Sequence, residues 1–427
     1  MSNPAQTNLP KDINFDLEAL RGFASLFVIW HHVRMYSHLL DPGLKSGFIL
    51  SYAPSGHFCV LIFFVLSGYV IGISNKKPLT WNTSLLYLKK RLVRLYPIYI
   101  ITLAFTLAVT TEHFPIATIT YNLAMLQALF AIAINPLSWS LHYEILYYFL
   151  FIFISILRLN AVYIALTAFT IGITNYIFYP VLHTPIITSY CYGLTFWILG
   201  LALSRYLANS IHQKSSYQIL LGCLFFILCI DQYNLLNTVS RHYITVSFPE
   251  NIYWAQQAIE IHDLSYIPFA LFIVLIFTGK KLSYKLSLLR LLILVSSTPK
   301  LIYIFSNFHN KNLNLTLYTW PTLFLLFSIL CLFVRSSWLE KMGQQVMRVG
   351  AELGSLSYSI YLIHFPVILL LSKIHHISGT WQSFVIRFIA LLVFTIGFSY
   401  ILEKIIQPRF KNYFFKHQSN KSIIAAN

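Results

Sequence analysis

The chain has 427 residues, of which 57% are hydrophobic and only 10% are charged, with a formal net charge of +17. Soluble domains carry about 25% charged residues, so this composition excludes an ordinary soluble protein and indicates a chain that crosses a lipid bilayer many times. The basic residues are scattered between apolar runs and form no soluble module, so we expect no nucleic-acid binding.

Long apolar runs predict an all-α fold, a transmembrane helical bundle with ten to twelve spans and an even number of them. The weakest run, 286–305, is interrupted by Arg290, Pro299 and Lys300, and it could be re-entrant or interfacial instead. In chain order, the predicted helices cover residues 19–38, 56–74, 92–111, 138–157, 161–179, 189–207, 216–230, 263–278, 286–305, 314–334, 355–373 and 383–402.

Lysine and arginine residues collect in alternate loops between these helices. The intervening loops are poor in them: 112–137 holds none, and 231–262 holds only Arg241. Because cytoplasmic loops are rich in Lys and Arg, we expect both termini to be cytoplasmic, in a multi-pass protein of a bacterial inner membrane. We expect a single integral-membrane domain at 1–410 and a short basic cytoplasmic tail at 411–427.

The first predicted helix carries ionisable groups within the apolar stretch FDLEALRGFASLFVIWHHV, residues 15–33. Such a group costs several kcal/mol in a membrane unless it is paired or solvated, so it indicates function. His32 follows Arg21 by 11 residues, which is about 16 Å along a helix and within about 20° in direction. We expect Arg21 at the cytoplasmic mouth of a groove and His32 deeper in it; alternatively, His32 is merely hydrogen-bonded within the bundle.

The segment KKRLVRLYPIY, residues 89–99, places Arg91 and Arg94 on one face at the predicted cytoplasmic start of the helix at 92–111. Paired guanidinium groups bind phosphates through charge-assisted hydrogen bonds. The alternative is that both arginines are ordinary cytoplasmic anchors that reach lipid headgroups.

The segment SWSLHYEILYY, residues 138–148, carries Glu144 among aromatic residues, about two turns from the outward start of its helix. A carboxylate at that depth needs a cation, a polar substrate or a proton. It could equally be a structural partner of a neighbouring histidine or arginine.

The segment LGSLSYSIYLIHFPVILLL, residues 353–371, carries His364 at a depth similar to that of His32. Pro366 should weaken this helix and free a backbone carbonyl. The hydroxyl groups here, including that of Tyr361, also suit the packing of membrane helices.

Together these segments predict arginines at the cytoplasmic face, two histidines midway and a carboxylate toward the other side. A phosphate-bearing donor could then enter from the cytoplasm and place its reactive end near a buried imidazole. Five cysteines lie singly, without zinc-ligand spacing, so we expect neither a disulfide framework nor a metal site. They are Cys59, Cys191, Cys223, Cys229 and Cys331.

Six segments follow one another over most of the chain in a characteristic order: EALRGFASLFVIWHH (18–32), FFVLSGYVIG (63–72), RLVRLYPIY (91–99), SWSLHYE (138–144), FWILGLALSRYL (196–207) and LSYSIYLIHFPV (356–367). In this order they resemble the acyltransferase-3 family of membrane proteins, which acylate carbohydrates and other cell-surface molecules. We expect no counterpart here of the C-terminal hydrolase-like domain that some relatives carry. A separate extracytoplasmic transferase partner could receive the acyl group.

The family's pattern of Arg, ten residues and His falls on Arg21 and His32, its Arg-x-x-Arg element on Arg91 and Arg94, and its acidic position on Glu144. The resemblance implies acyl-coenzyme A, most simply acetyl-coenzyme A, as donor, with Arg91 and Arg94 contributing to its binding. It further implies that His32 is the catalytic base and that Arg21 positions donor or acceptor.

We therefore expect an O-acyltransferase that moves an acyl group to a hydroxyl of a cell-surface glycan or lipid-linked saccharide, surrounded by membrane lipid. His32 would take the hydroxyl proton, Glu144 would orient that imidazole or hold the acceptor, and an acyl-His intermediate is equally allowed. His364, Tyr361 and Glu18 would bind the acceptor or support the site. A proton-coupled transporter or flippase of an anionic or lipid-linked substrate is the main alternative, and a purely structural scaffold is the weakest.

Overall fold

The computed structural model describes residues 15–44, 51–178, 185–213, 215–244, 253–282, 284–308, 315–374 and 377–424. Within these ranges the chain is helical and contains no β-strand. In chain order, the helices are α1 (Phe15–Met35), α2 (Ser37–Leu40), α3 (Gly56–Ser74), α4 (Trp81–Val109), α5 (Ile116–Leu123), α6 (Gln127–Phe130), α7 (Trp139–Ile156), α8 (Ala161–Ile177), α9 (Pro185–Tyr206), α10 (Tyr217–Tyr233), α11 (Leu235–Tyr243), α12 (Ile267–Phe277), α13 (Lys285–Ser306), α14 (Leu315–Phe333), α15 (Ser337–Gly354), α16 (Ser357–Ser372), α17 (Trp381–Tyr400) and α18 (Gln407–Ile424).

The predicted all-α, multi-pass membrane fold is confirmed. In the described part of the chain, eight helical segments are long and apolar enough to cross a membrane: Gly56–Ser74, Trp81–Val109, Pro136–Ile156, Pro185–Tyr206, Tyr217–Tyr243, Lys285–Ser306, Thr316–Phe333 and Trp381–Phe415. Helices α15 and α16, bent by 74° at their junction, form a ninth candidate if they are counted as one span. Helices α1, α8 and α12 account for the remaining predicted runs. The side on which each terminus lies, and the domain boundary at residue 410, stay predictions.

Helix α4 begins at Trp81, well before the predicted start at residue 92, because Thr80 caps it. The Thr80 side chain accepts a hydrogen bond from the backbone of Thr83, and the Thr83 side chain accepts one from the backbone of Thr80. Arg91 therefore lies about 15 Å along the helix, and the expectation that it stands at the helix start was wrong.

Helix α15 lies between the predicted helices at 314–334 and 355–373, where the sequence analysis predicted a loop. Its charged residues interrupt the apolar pattern, but glycines on one face let it approach α1 closely. A Cβ atom at Gly22 would overlap the carbonyl oxygen of Gly350, and one at Gly354 would overlap that of Glu18. The contact fixes the end of α1 that carries Glu18 and Arg21.

Glycines also bring α3 and α9 together. A Cβ atom at Gly68 would overlap the carbonyl oxygen of Trp197, and one at Gly200 would overlap that of Val65. At this contact the indole Nε1 of Trp197 donates a 3.1 Å hydrogen bond to Ser67 Oγ. The close approach therefore fixes the position of a polar side chain that belongs to the candidate site.

Two prolines inside helices create attachment points for neighbouring elements. Each removes the N–H that would bond to the carbonyl four residues earlier. The free carbonyl of Leu362, opposite Pro366, accepts from Asn135 Nδ2 at 2.9 Å. The free carbonyl of Val93, opposite Pro97, accepts from Gln407 Nε2 at 2.8 Å. The effect predicted for Pro366 is thus present in the structure, although α16 continues through it.

Candidate active site

A cavity of about 270 Å³ lies between α1, α3, α4, α7 and α16. Its polar lining consists of Arg21, Ser67, Arg91, Arg94, Ser140, Glu144, Tyr148, Ser357, Tyr358 and Tyr361, and the rest is apolar. The arginines and Glu144 were expected near opposite faces of the membrane, but they share this cavity. Because α4 begins at Trp81, Arg91 and Arg94 lie near the middle of this helix rather than at its start.

Two of the three arginines are already neutralised by carboxylates. Arg21 Nη1 lies 3.0 Å from Oε1 of Glu18, one turn away on α1. Arg94 Nη1 forms an ion pair with Oε2 of Glu403, which lies in the π-helical turn Ile401–Ile406 between α17 and α18. Glu403 is a part of the site that the sequence analysis missed; a carboxylate at the end of an apolar run was the available signal.

Arg91 differs from the other two arginines, since no carboxylate of the described chain lies within ion-pair distance of it. Its guanidinium lies over the rings of Tyr87 and Tyr148, 5.6 and 5.8 Å from their centroids. Its buried Nε has no hydrogen-bond partner among the described residues. Arg91 is therefore the cation of the cavity whose charge is available to an anionic ligand.

Glu144 is held by hydroxyl groups rather than by a histidine. Ser67 Oγ donates a 2.7 Å hydrogen bond to Glu144 Oε1, and the hydroxyl of Tyr148 donates to the same oxygen. Ser67 in turn accepts from Trp197, so a chain of two hydrogen bonds runs from Trp197 through Ser67 to the carboxylate. In the described chain Oε2 makes no hydrogen bond, which leaves it able to accept one from a ligand.

His32 and His364 contact each other in the bundle. His32 Nδ1 lies 3.0 Å from His364 Nε2, and the two rings stack with centroids 5.2 Å apart. His364 Nδ1 lies 2.9 Å from the carbonyl oxygen of Ile360, which can only accept, so this nitrogen carries the proton in the neutral ring. His364 Nε2 must then accept from His32 Nδ1, which leaves a lone pair on His32 Nε2.

Neither imidazole is among the described residues that line the cavity, but Tyr361 lies between the cavity and the ring of His364. Tyr361 lines the cavity, and its ring meets that of His364 edge-on, with centroids 6.5 Å apart. Its hydroxyl donates to the carbonyl of Leu137 at 2.8 Å and lies 2.9 Å from Ser140 Oγ. The histidine pair therefore lies directly behind one wall of the cavity.

His31 takes no part in the hydrogen bond of this pair, because its Nδ1 donates to the carbonyl of Pro54 at 2.9 Å. The five cysteines are all free. In the ranges that the structure describes, no three His, Cys, Asp or Glu side chains are grouped so as to hold a metal ion.

These features define a multi-pass helical membrane protein with guanidinium, carboxylate and imidazole groups buried between its helices. The model of the acyltransferase-3 family, described as an acyltransferase domain, matches residues 14–305 and 276–404. The chain therefore belongs to the acyltransferase-3 family.

One curated protein similar to this chain is "Protein 2 in picA locus" of Rhizobium radiobacter, 33% identical over 90 residues. The match covers 21% of this chain and 41% of that protein, so the chain spans less than half the length of this relative. No solved structure matches the chain.

Proposed function

We propose that this protein is a membrane acyltransferase that moves an acyl group, most simply acetyl, from acyl-coenzyme A to a hydroxyl of a cell-surface glycan or lipid-linked saccharide, in a bacterial inner membrane. Membership of the family supports acyl transfer as such. The observation that carries the finer proposal is the contact between His32 and His364, since it leaves His32 Nε2 with the lone pair that a general base needs.

In this proposal His32 activates the acceptor. Its Nε2 takes the hydroxyl proton while the hydroxyl oxygen attacks the thioester carbonyl carbon, a role worth about 10²–10⁴ in rate. The carbon–sulfur bond then breaks, and the leaving thiolate takes the proton back from the imidazolium. The products are an O-acyl ester and the free thiol, and the enzyme is unchanged. His364 is a positioning residue, because its accepting nitrogen holds the other proton of His32 on Nδ1.

The cavity would hold the reactive arm of the donor next to the histidine pair. Arg91 supports this assignment, because its guanidinium is not paired with a carboxylate of the described chain and can donate hydrogen bonds to the carbonyl oxygens of that arm. Glu144 and Tyr361 would accept hydrogen bonds from acceptor hydroxyls. Arg21, paired with Glu18, would position the donor at the other end of the cavity. Arg94 would act mainly through its ion pair with Glu403.

The proposal is tested by incubating the purified protein with acetyl-coenzyme A labelled in the acetyl group. Release of coenzyme A, with label appearing on the protein or on an added saccharide lipid extract, supports acyl transfer from this donor. Flux of substrate across proteoliposomes without thioester cleavage supports the transporter alternative instead. Comparing the surface glycans of cells with and without the gene would then identify the acceptor, or a partner that passes the group on.

A further inference from the structure

A second and larger cavity lies at the end of the bundle predicted to face the cytoplasm. It measures about 1000 Å³ and is formed where the start of α1 meets the ends of α3, α7, α9 and α12. No aspartate or glutamate of the described chain lines it, and we call it the basic cleft. Its cations are Lys76, Lys77, Arg158, Arg205 and Lys280.

Two of these cations are engaged by backbone carbonyls. Arg205 Nη1 donates to Leu159 O at 3.1 Å, and Lys280 Nζ donates to Ser210 O at 3.0 Å. Cations commonly satisfy carbonyls near the ends of helices in this way. Arg205 and Lys280 therefore stabilise the fold through these hydrogen bonds, without a ligand.

The remaining three cations make no hydrogen bond of this kind within the described ranges. Lys76, Lys77 and Arg158 are exposed, and none of them makes a side-chain hydrogen bond or ion pair within the described ranges. Three positive charges on one concave surface attract an anion with several charges far more strongly than a single charge does. The chemistry that matches them is a group of closely spaced phosphates.

Arg158 also stands where the backbone favours another residue. It follows α7 with φ +54°, a left-handed conformation that disfavours side chains and favours glycine. Its N–H donates to Ser155 O at 3.2 Å, and the next N–H, of Leu159, donates to Ile154 O at 2.9 Å, which is the hydrogen-bond pattern that ends helices at glycine. Glycine would suit this turn better, so the position offers a variant that removes the guanidinium without disturbing the fold.

The two cavities differ in volume, and each suits a different part of one ligand. Pockets that enclose drug-sized molecules measure about 300–1,000 Å³, so the cavity of about 270 Å³ suits a slender arm but not a nucleotide. Leu17 lines the basic cleft, and Arg21 lines the smaller cavity. These residues are one turn apart on α1, about 6 Å along its axis, so the two cavities are neighbours.

We propose that the basic cleft is a phosphate-binding site in which Lys76, Lys77 and Arg158 hold a group of closely spaced phosphates. This inference rests on the proposed function for its first source of phosphate, the nucleotide end of the acyl donor, whose acyl arm then reaches the smaller cavity. Anionic lipid headgroups offer the same chemistry and are the second source. The two sources are distinguished by experiment.

The first arm of the test measures the affinity of the full-length protein, purified in nanodiscs, for coenzyme A and for pantetheine, which lacks the phosphates. Arg158→Gly and the double variant Lys76→Gln/Lys77→Gln should each weaken coenzyme A binding at least tenfold and leave pantetheine binding unchanged. Lys341→Gln removes an exposed cation of α15 outside the cleft and should bind as the unaltered protein does. Arg158→Gly should also keep or raise the melting temperature, so lost affinity cannot be attributed to unfolding.

The second arm compares nanodiscs with and without phosphatidylglycerol and measures how much of this lipid copurifies with each variant. If the cleft variants keep their affinity for coenzyme A but copurify with less phosphatidylglycerol, the phosphates that the cleft binds are those of lipid. Variants that keep both overturn the inference and leave the proposed function intact. If the unaltered protein does not bind coenzyme A, the proposed donor is refuted, and the lipid arm alone then decides for or against the cleft.

Discussion

His364 Nε2 accepts the Nδ1 proton of His32 across 3.0 Å, because its own Nδ1 proton is directed to the carbonyl of Ile360. The two imidazoles come from opposite ends of the chain, on α1 and α16. Their contact selects one tautomer of His32, so its basic nitrogen is defined before any substrate binds.

Replacing His364 tests this positioning role. His364→Leu cannot accept the His32 proton, and we expect kcat to fall about 10- to 100-fold, less than the loss of a general base itself, with the KM for the donor unchanged. His364→Gln offers an accepting oxygen and should recover part of kcat. Equal activities of the two variants in a steady-state assay would show that His364 only fills space.

Arg91 should contribute directly to donor binding, because its charge is not compensated by a carboxylate of the described chain. A charge-assisted hydrogen bond is worth about 1.5–3 kcal/mol, so Arg91→Gln should raise the dissociation constant for coenzyme A by a factor of about 10–100. Titration of the purified variant measures this. An unchanged dissociation constant would contradict the assignment.

Arg94 should act on stability through Glu403. The Glu403 side chain is only 4% exposed, so Arg94→Gln leaves a buried charge without its partner, which costs about 3 kcal/mol. We expect a lower unfolding temperature in detergent for Arg94→Gln. The double variant Arg94→Gln/Glu403→Gln removes both charges and should recover most of that loss; a double variant as unstable as the single one would exclude the pairing.

Two glycine substitutions should have opposite effects, one at the contact between α3 and α9 and one outside it. Gly68→Ala places a methyl group against the carbonyl of Trp197 and should cost about 3 kcal/mol or more. Gly397→Ala in α17 meets no atom within 4 Å and should be neutral or slightly stabilising. The yield of monodisperse protein after extraction measures both, and similar yields would show that α3 and α9 do not approach so closely.

Features that depend on residues close together in the chain could be predicted from the sequence. Long apolar runs indicated each predicted helix, and the missing N–H of Pro366 indicated a free carbonyl, which Asn135 satisfies. The spacing of Arg21 and His32 along one helix was likewise a local property. It could not show that Arg21 lines a cavity whose wall includes Tyr361, or that the ring of Tyr361 meets that of His364.

Features that depend on distant partners were not predictable in this way. The early start of α4 is the one local exception, because it depends on the polar cap formed by Thr80 and Thr83, which lies outside the apolar run. The pairing of Arg94 with Glu403 joins positions 309 residues apart, and no periodicity connects them. Helix α15 carries too many charges to be recognised as a membrane helix, and its Gly350 and Gly354 are explained only by the close approach of α1.

The central claim is that His32 is the base in acyl transfer, and the neighbouring His31 provides a matched control. The two rings lie 5.4 Å apart, but His31 is directed to the carbonyl of Pro54. Transfer of labelled acetyl from acetyl-coenzyme A should fall about 10²–10⁴-fold in His32→Ala and stay close to that of the unaltered protein in His31→Ala. Near-normal transfer by a folded His32→Ala protein would contradict the account.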